Sequence, residues 1–135
     1  MERPLPFVPS DEAQRQRALR RYQILDTPPE ESFDRITRLA AQLFDVPVAL
    51  VTLINEDRQW HKSCFGFDVR EVDRNVSFCA HNLDGHDVMV IEDAQADKRF
   101  ADNPLVMGPP HIRFYAGAPL ITPDGHSLGS LCVID

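Results

Sequence analysis

The sequence predicts an α+β domain built on a central antiparallel β-sheet of five or six strands. Three observations carry this. Val46 to Ile54 is almost continuously apolar and rich in Val, Leu and Ile, the pattern of a strand covered on both faces. His111 to Asp135 holds two apolar runs around Thr122-Pro123-Asp124-Gly125-His126, a group of turn formers that makes them an antiparallel hairpin in the middle of the sheet. Phe33, Ile36, Ala40, Leu43 and Phe44 recur at helical spacing, giving an apolar face expected to lie against that sheet.

In chain order, residues 1–9 hold three prolines and read as an irregular lead-in to a domain spanning 10–135. Ser10 or Asp11 caps a mostly polar helix whose narrow stripe is Ala18, Leu19, Tyr22 and Leu25; it packs either on the domain or on a second chain. Thr27, Pro28 and Glu30 form the start signal of the next helix, with Glu30 three residues after the cap. After the Val46–Ile54 strand, Asn55 to Arg58 is a polar turn, and Gln59 to Phe65 alternates as a returning strand with one wetter face. The charged run Asp68 to Asn75 reads as an exposed flap. Ser77 caps a short helix with Cys79 in its first turn, where unpaired amides favour a thiolate. Val88 to Ile91 is a short strand, Asp97 to Ala101 a single helical turn halted by Asn103-Pro104, and Met107 to Pro110 a rigid connector.

At 135 residues and 15.3 kDa the chain is one domain able to bury a core. A net charge of −7 and a pI near 5.1 argue against nucleic acid or an anionic membrane as partner. Arg15, Arg17, Arg20 and Arg21 form a local basic cluster, read as a solvated helix face. No apolar run approaches the ~20 residues that span a bilayer, and the N-terminus lacks a signal-peptide core, so a cytoplasmic location is expected. Cys64, Cys79 and Cys132 are odd in number and far apart, which suits reduced thiols and supports no structural metal site.

Taken together, ILDTPPEESFDRITRLAAQLFDVPVALVTLI, RQWHKS, SFCAH, ADKRFADNPLV and HIRFYAGAPLITPDGHSLGSLCVID resemble a GAF domain, a sensory module similar in shape to PAS domains. The likeness covers roughly residues 19–135. It is nearest to the GAF domains at the N-terminus of bacterial histidine kinases and diguanylate cyclases. It implies N-terminal helices on one face of the sheet, and on the other a ligand pocket under short helices and loops. It also implies a C-terminal signalling helix, which would begin at Asp135, and a homodimer through the terminal helices. Lys98, Phe100 and Asp102 only partly echo the cyclic-nucleotide signature of the family, so cyclic GMP is not expected. Ala80 separates Cys79 from His81, where bilin-binding members place Cys and His side by side, so covalent bilin is not expected either.

The candidate ligand-binding residues are Ser77, Cys79, His81, Phe100, Arg113 and Tyr115. Cys79 and His81 are a redox or metal half-site, or else a packed thiol and a capped histidine whose side chains diverge. Arg113 and Tyr115 share a strand face with Gly117 and Pro119; on the pocket side they orient an anionic or planar ligand, and otherwise Arg113 pairs with an Asp. Cys132 reads as core, and Trp60 and His61 as sheet surface under the charged loop. The favoured function is a small-molecule sensor, the ligand unidentified, relaying pocket occupancy to a downstream effector, with no catalysis in the domain itself. It requires a ligand-sized cavity between the sheet and residues 77–107. The alternatives are a thiol redox enzyme or sensor resembling the free methionine sulfoxide reductases, and a dimerisation module with a vestigial pocket.

Overall fold

The computed structural model describes residues 8–135, so the expected lead-in, except Val8 and Pro9, lies outside the described residues. Helices α1 (Glu12–Tyr22) and α2 (Glu31–Phe44) precede strands β1 (Val48–Ile54) and β2 (Arg58–Phe65). Strand β3 (Glu71–Asp73) leads into two 3₁₀ turns, Arg74–Val76 and Cys79–Asn82. Strand β4 (Met89–Ile91), helix α3 (Pro104–Met107) and the hairpin β5 (Tyr115–Ile121) and β6 (Ser127–Ile134) complete the order. The six strands form one sheet in the order β3-β2-β1-β6-β5-β4, each neighbouring pair antiparallel. The expected α+β sheet is therefore present, with the two apolar runs β1 and β6 side by side at its centre.

Several elements depart from the sequence reading. The helix start expected at Thr27 to Glu30 falls later: α2 begins at Glu31 with Glu30 as its N-cap and no side-chain cap, because the Thr27 hydroxyl donates to the Ile24 carbonyl instead. Arg15, expected on a solvated face, is fully buried. The charged run expected as an exposed flap contains β3, which adds to the β2 edge; three residues of backbone pairing leave no periodicity to read. Asn103-Pro104 begins a helix rather than halting one, since the Asn103 side chain accepts from the Leu105 N–H at 2.8 Å and Pro104 takes the first helical position, as N-terminal signals dictate.

The sheet separates two cores. On one side Val48, Leu50 and Ile54 of β1 and Cys132 and Ile134 of β6 pack under Phe78, Leu83, Phe100, Val106 and Ile112. The Phe78 and Phe100 rings stack at 4.1 Å, worth about 1 kcal/mol beyond their burial. On the other side α1 sets Ala18 and Leu19 against Leu53, Trp60 and Leu128, so most of its stripe packs on the domain while Tyr22 stays exposed. Trp60 is thus core beneath α1 as well as lying under the Arg70 guanidinium, while His61 is fully buried beneath Val69.

Helix α2 buries Thr37, Ala40 and Ala41 and leaves Ile36, Leu39, Leu43 and Phe44 exposed. The small residues let the helix sit close over β1 and β2, and its large apolar side chains reach past that contact instead of into it. Of these, Phe44 lines, with Ala40, an apolar groove over β5 and β6 that also takes in Val90, Phe114, Ala116, Ala118, Leu131 and Val133. The wetter face expected on β2 is also covered. Lys62 is fully buried there, with its ammonium donating to Thr27 Oγ1 and the Pro28 carbonyl at 2.8 Å each and pairing with Glu30.

Two guanidinium groups fasten α1 across the sheet end. Glu12 accepts from Arg15 at 3.0 Å, from Arg74 at 2.7 Å and from Gln16 at 2.8 Å. Arg15 also reaches the Ser127 carbonyl at 3.4 Å, and Arg74 the Asn55 carbonyl at 2.9 Å. Burial raises the Glu12 carboxyl, but these hydrogen bonds, Arg74 foremost, outweigh it and hold the group at about 2.

Candidate functional site

Beneath the segment from Phe78 to Ile112, the sheet forms the floor of an apolar pocket whose inner end is lined by Cys79, Tyr115 and Cys132. The side chains there come from four elements. Thr52 and Ser130 are polar residues inside largely apolar strands, and alternation along the strand turns them to the Cys79 side of the sheet. Tyr115 opens β5, and its ring lies back over Gly117, where an added Cβ would meet the phenol oxygen at 2.3 Å. Cys79 comes from the 3₁₀ turn, which Ser77 caps by accepting the Ala80 N–H at 3.0 Å.

These groups converge on one sulfur. Cys79 Sγ lies 2.9 Å from Tyr115 Oη, accepts from Ser130 Oγ at 2.9 Å and from Thr52 Oγ1 at 3.3 Å. Cys132 lines the same pocket and packs in the same core cluster. Burial raises a thiol, but the polar groups of Cys132, Ser130, Thr52 and Tyr115 outweigh it and hold Cys79 below the usual thiol range. The neighbouring Cys79, and then burial, push Cys132 up. Burial and the neighbouring sulfurs push the Tyr115 phenol up.

A second polar chain runs beside it. Ser77 donates to Gln59 Oε1 at 2.5 Å, and the Gln59 amide contacts His61 Nε2 at 2.9 Å. His61 Nδ1 sits 2.6 Å from the Val69 carbonyl. A carbonyl only accepts, so the proton is on Nδ1 and Nε2 accepts from Gln59. Burial lowers the His61 pKa accordingly.

Of the six residues singled out from sequence, Cys79 and Tyr115 meet in the pocket. Ser77 stands behind Cys79 as its cap. Phe100 is fully buried against Phe78, and His81 meets the Phe100 ring edge-on at 4.8 Å. Arg113 lies before β5 and donates to the Val106 and Ile112 carbonyls at 3.0 Å each; it clamps the α3 segment through carbonyls rather than an Asp. Thr52, Gln59, Ser130 and the contact of Cys132 with Cys79 were not anticipated. A polar residue inside a strand buried on both faces was the available signal for Thr52 and Ser130.

The cavity is small. At about 30 Å³ it has room for about two waters, so among the described residues this cavity between the sheet and residues 77–107 is not ligand-sized in this conformation. Its outer lining is Phe67 and Leu105, half-buried, and Pro110, exposed. Among the described residues no cluster of His, Cys, Asp and Glu suits a metal ion, and no helix is long and apolar enough to cross a membrane.

Comparison with known proteins places this arrangement. The GAF domain family matches residues 28–135. A cyclic di-GMP phosphodiesterase of Pseudomonas aeruginosa is 45% identical over 130 residues, covering 96% of this chain and 22% of that protein; the chain thus spans less than a quarter of that relative. Among solved structures, the GAF domain of an Acinetobacter phosphoenolpyruvate-protein phosphotransferase aligns with a TM-score of 0.60 at 17% identity, over 95% of this chain and 78% of that one. A free methionine-R-sulfoxide reductase from Neisseria meningitidis, solved with its substrate, aligns with a TM-score of 0.61 at 16% identity, over 99% and 81% of the two chains. At such identities the two structures establish a shared fold.

Proposed function

The chain belongs to the GAF family, and from that premise we propose that it is the regulatory domain of a signalling protein that handles cyclic di-GMP. In this reading it senses what occupies the pocket under the Cys79–Asn82 turn and α3, and relays it to an effector elsewhere in the polypeptide. The observation that carries the reading is an apolar pocket whose lining includes Gln59, Cys79 and Tyr115, with Cys79 held from behind by Thr52 and Ser130, an arrangement in which a few polar groups orient a bound molecule. The 45% identity to the phosphodiesterase supports the signalling context, and its length beyond the matched part gives room for catalysis outside this domain.

The ligand-sized cavity that this reading requires is closed in this conformation, which counts against it unless a ligand larger than a few atoms displaces Phe67 and Leu105 at the half-buried rim. The test is mass spectrometry of small molecules released on denaturing the purified chain. A near-stoichiometric compound is expected, and Leu105→Trp should remove it without unfolding the chain. Release of nothing, with unchanged amide exchange over residues 103–112 in metabolite extract, would overturn the reading. The exposed Ile36, Leu39, Leu43 and Phe44 of α2 support a homodimer formed through the terminal helices, in a cytoplasmic protein that contacts no nucleic acid. Sedimentation equilibrium tests the dimer, and a monomer at all concentrations would refute it.

A further inference from the structure

We propose that Cys79 and Cys132 are a peroxide-sensitive thiol pair, Cys79 being the group oxidised and Cys132 the group that resolves it into a disulfide. This goes beyond a ligand pocket and does not depend on the pocket taking a larger molecule.

The first argument concerns hydrogen-bond supply. A neutral thiol is a weak acceptor, yet Tyr115, Ser130 and Thr52 place hydroxyls 2.9, 2.9 and 3.3 Å from Cys79 Sγ, and Cys132 lines the same cavity. Such a shell suits an anionic sulfur, the nucleophilic form. The lowered Cys79 thiol agrees with it. The second argument concerns size. The cavity that both sulfurs line, about 30 Å³, admits an oxidant of the size of hydrogen peroxide and excludes a free amino acid such as methionine sulfoxide. The exposed Pro110 and half-buried Leu105 and Phe67 mark its route to solvent.

The chemistry balances. The Cys79 sulfur attacks one peroxide oxygen, an S–O bond forms and the O–O bond breaks. The departing hydroxide takes the proton given up by the Cys79 thiol and leaves as water. The Cys132 sulfur then attacks the sulfenic acid, an S–S bond forms and the S–O bond breaks, and the second hydroxide leaves as water with the Cys132 proton. Two thiols are oxidised to one disulfide and one peroxide is reduced to two waters. The new bond would tie the Cys79–Asn82 turn to β6 and change the packing of the pocket lid.

Cys64 is the internal control: it is half-buried, outside the pair, and burial raises its thiol. The folded wild-type chain is treated with limiting hydrogen peroxide, quenched with a maleimide under denaturing conditions, and mapped by mass spectrometry. A disulfide-linked peptide containing Cys79 and Cys132 is expected, formed at least roughly tenfold faster than Cys64 is lost. Cys132→Ser should halt Cys79 at the sulfenic acid, trapped by dimedone. If Cys64 is consumed first while Cys79 and Cys132 stay reduced, the proposal is wrong. The wild-type competition decides the question even where a Ser variant fails to fold. A linked peptide without any co-purified ligand would uphold this inference and count against the ligand reading; the converse pattern would do the opposite.

Discussion

Replacing Glu12 by Gln removes a carboxylate that faces two buried guanidinium groups. Arg15 is fully buried and Arg74 is 3% exposed, so neither can recover the lost partner from water without shifting. The carboxyl is lowered from 4.5 to about 2, which at about 1.4 kcal/mol per pH unit corresponds to about 3 kcal/mol of folding stability. Solvent at the 22% exposed edge of Glu12 trims this to roughly 2–3 kcal/mol. Breaking a fully buried pair costs about 3–5 kcal/mol, so the figure is consistent with a half-sheltered network. The sign follows from the depressed pKa. The contribution is complete above 4.5 and fades as pH falls toward 2, because the unfolded chain takes up the proton first. Urea denaturation of wild type and Glu12→Gln should differ by roughly 2–3 kcal/mol at pH 7, and the difference should narrow steadily between pH 4.5 and 2. A loss below about 0.5 kcal/mol at pH 7, or a gap that does not narrow in acid, would refute the reasoning. Arg74 sits just before Ser77 and Cys79, so the variant should also speed amide exchange in residues 74–82.

Two further outcomes follow from the pocket floor. Gly117→Ala sets a methyl 2.3 Å from the Tyr115 oxygen and should cost about 1–3 kcal/mol as the phenol is pushed off Cys79; an unchanged melting temperature and unchanged tyrosine fluorescence would contradict this placement. His61, lowered by burial, is neutral in the fold, so stability is complete above its unfolded value of 6.5 and falls as pH drops below it. Amide exchange of residues 69–73 should rise between pH 6.5 and 5.5 in the wild type and show no such step in His61→Phe. A step that persists in the variant would assign the titration elsewhere.

The sequence by itself determined the layers of this domain, because the features that carry them are local or periodic. Continuous apolar runs in β1 and β6 and the turn residues from Thr122 to His126 each act over a few neighbouring residues. Even Ser77 was legible as a cap, and Thr52 and Ser130 stood out in principle as polar residues within buried strands. Which face of α2 meets the sheet was not legible. Helical spacing shows that apolar residues recur, but close approach selected the small Thr37, Ala40 and Ala41 over Ile36, Leu43 and Phe44. Only the tertiary structure could decide that Cys132 meets Cys79 across 53 residues of chain, that Lys62 is buried and paired, and that Arg113 serves carbonyls rather than a carboxylate. Each depends on where separate elements come to rest against one another, and the net of burial and hydrogen bonding that sets a thiol's acidity is fixed by that placement and by no short stretch of residues.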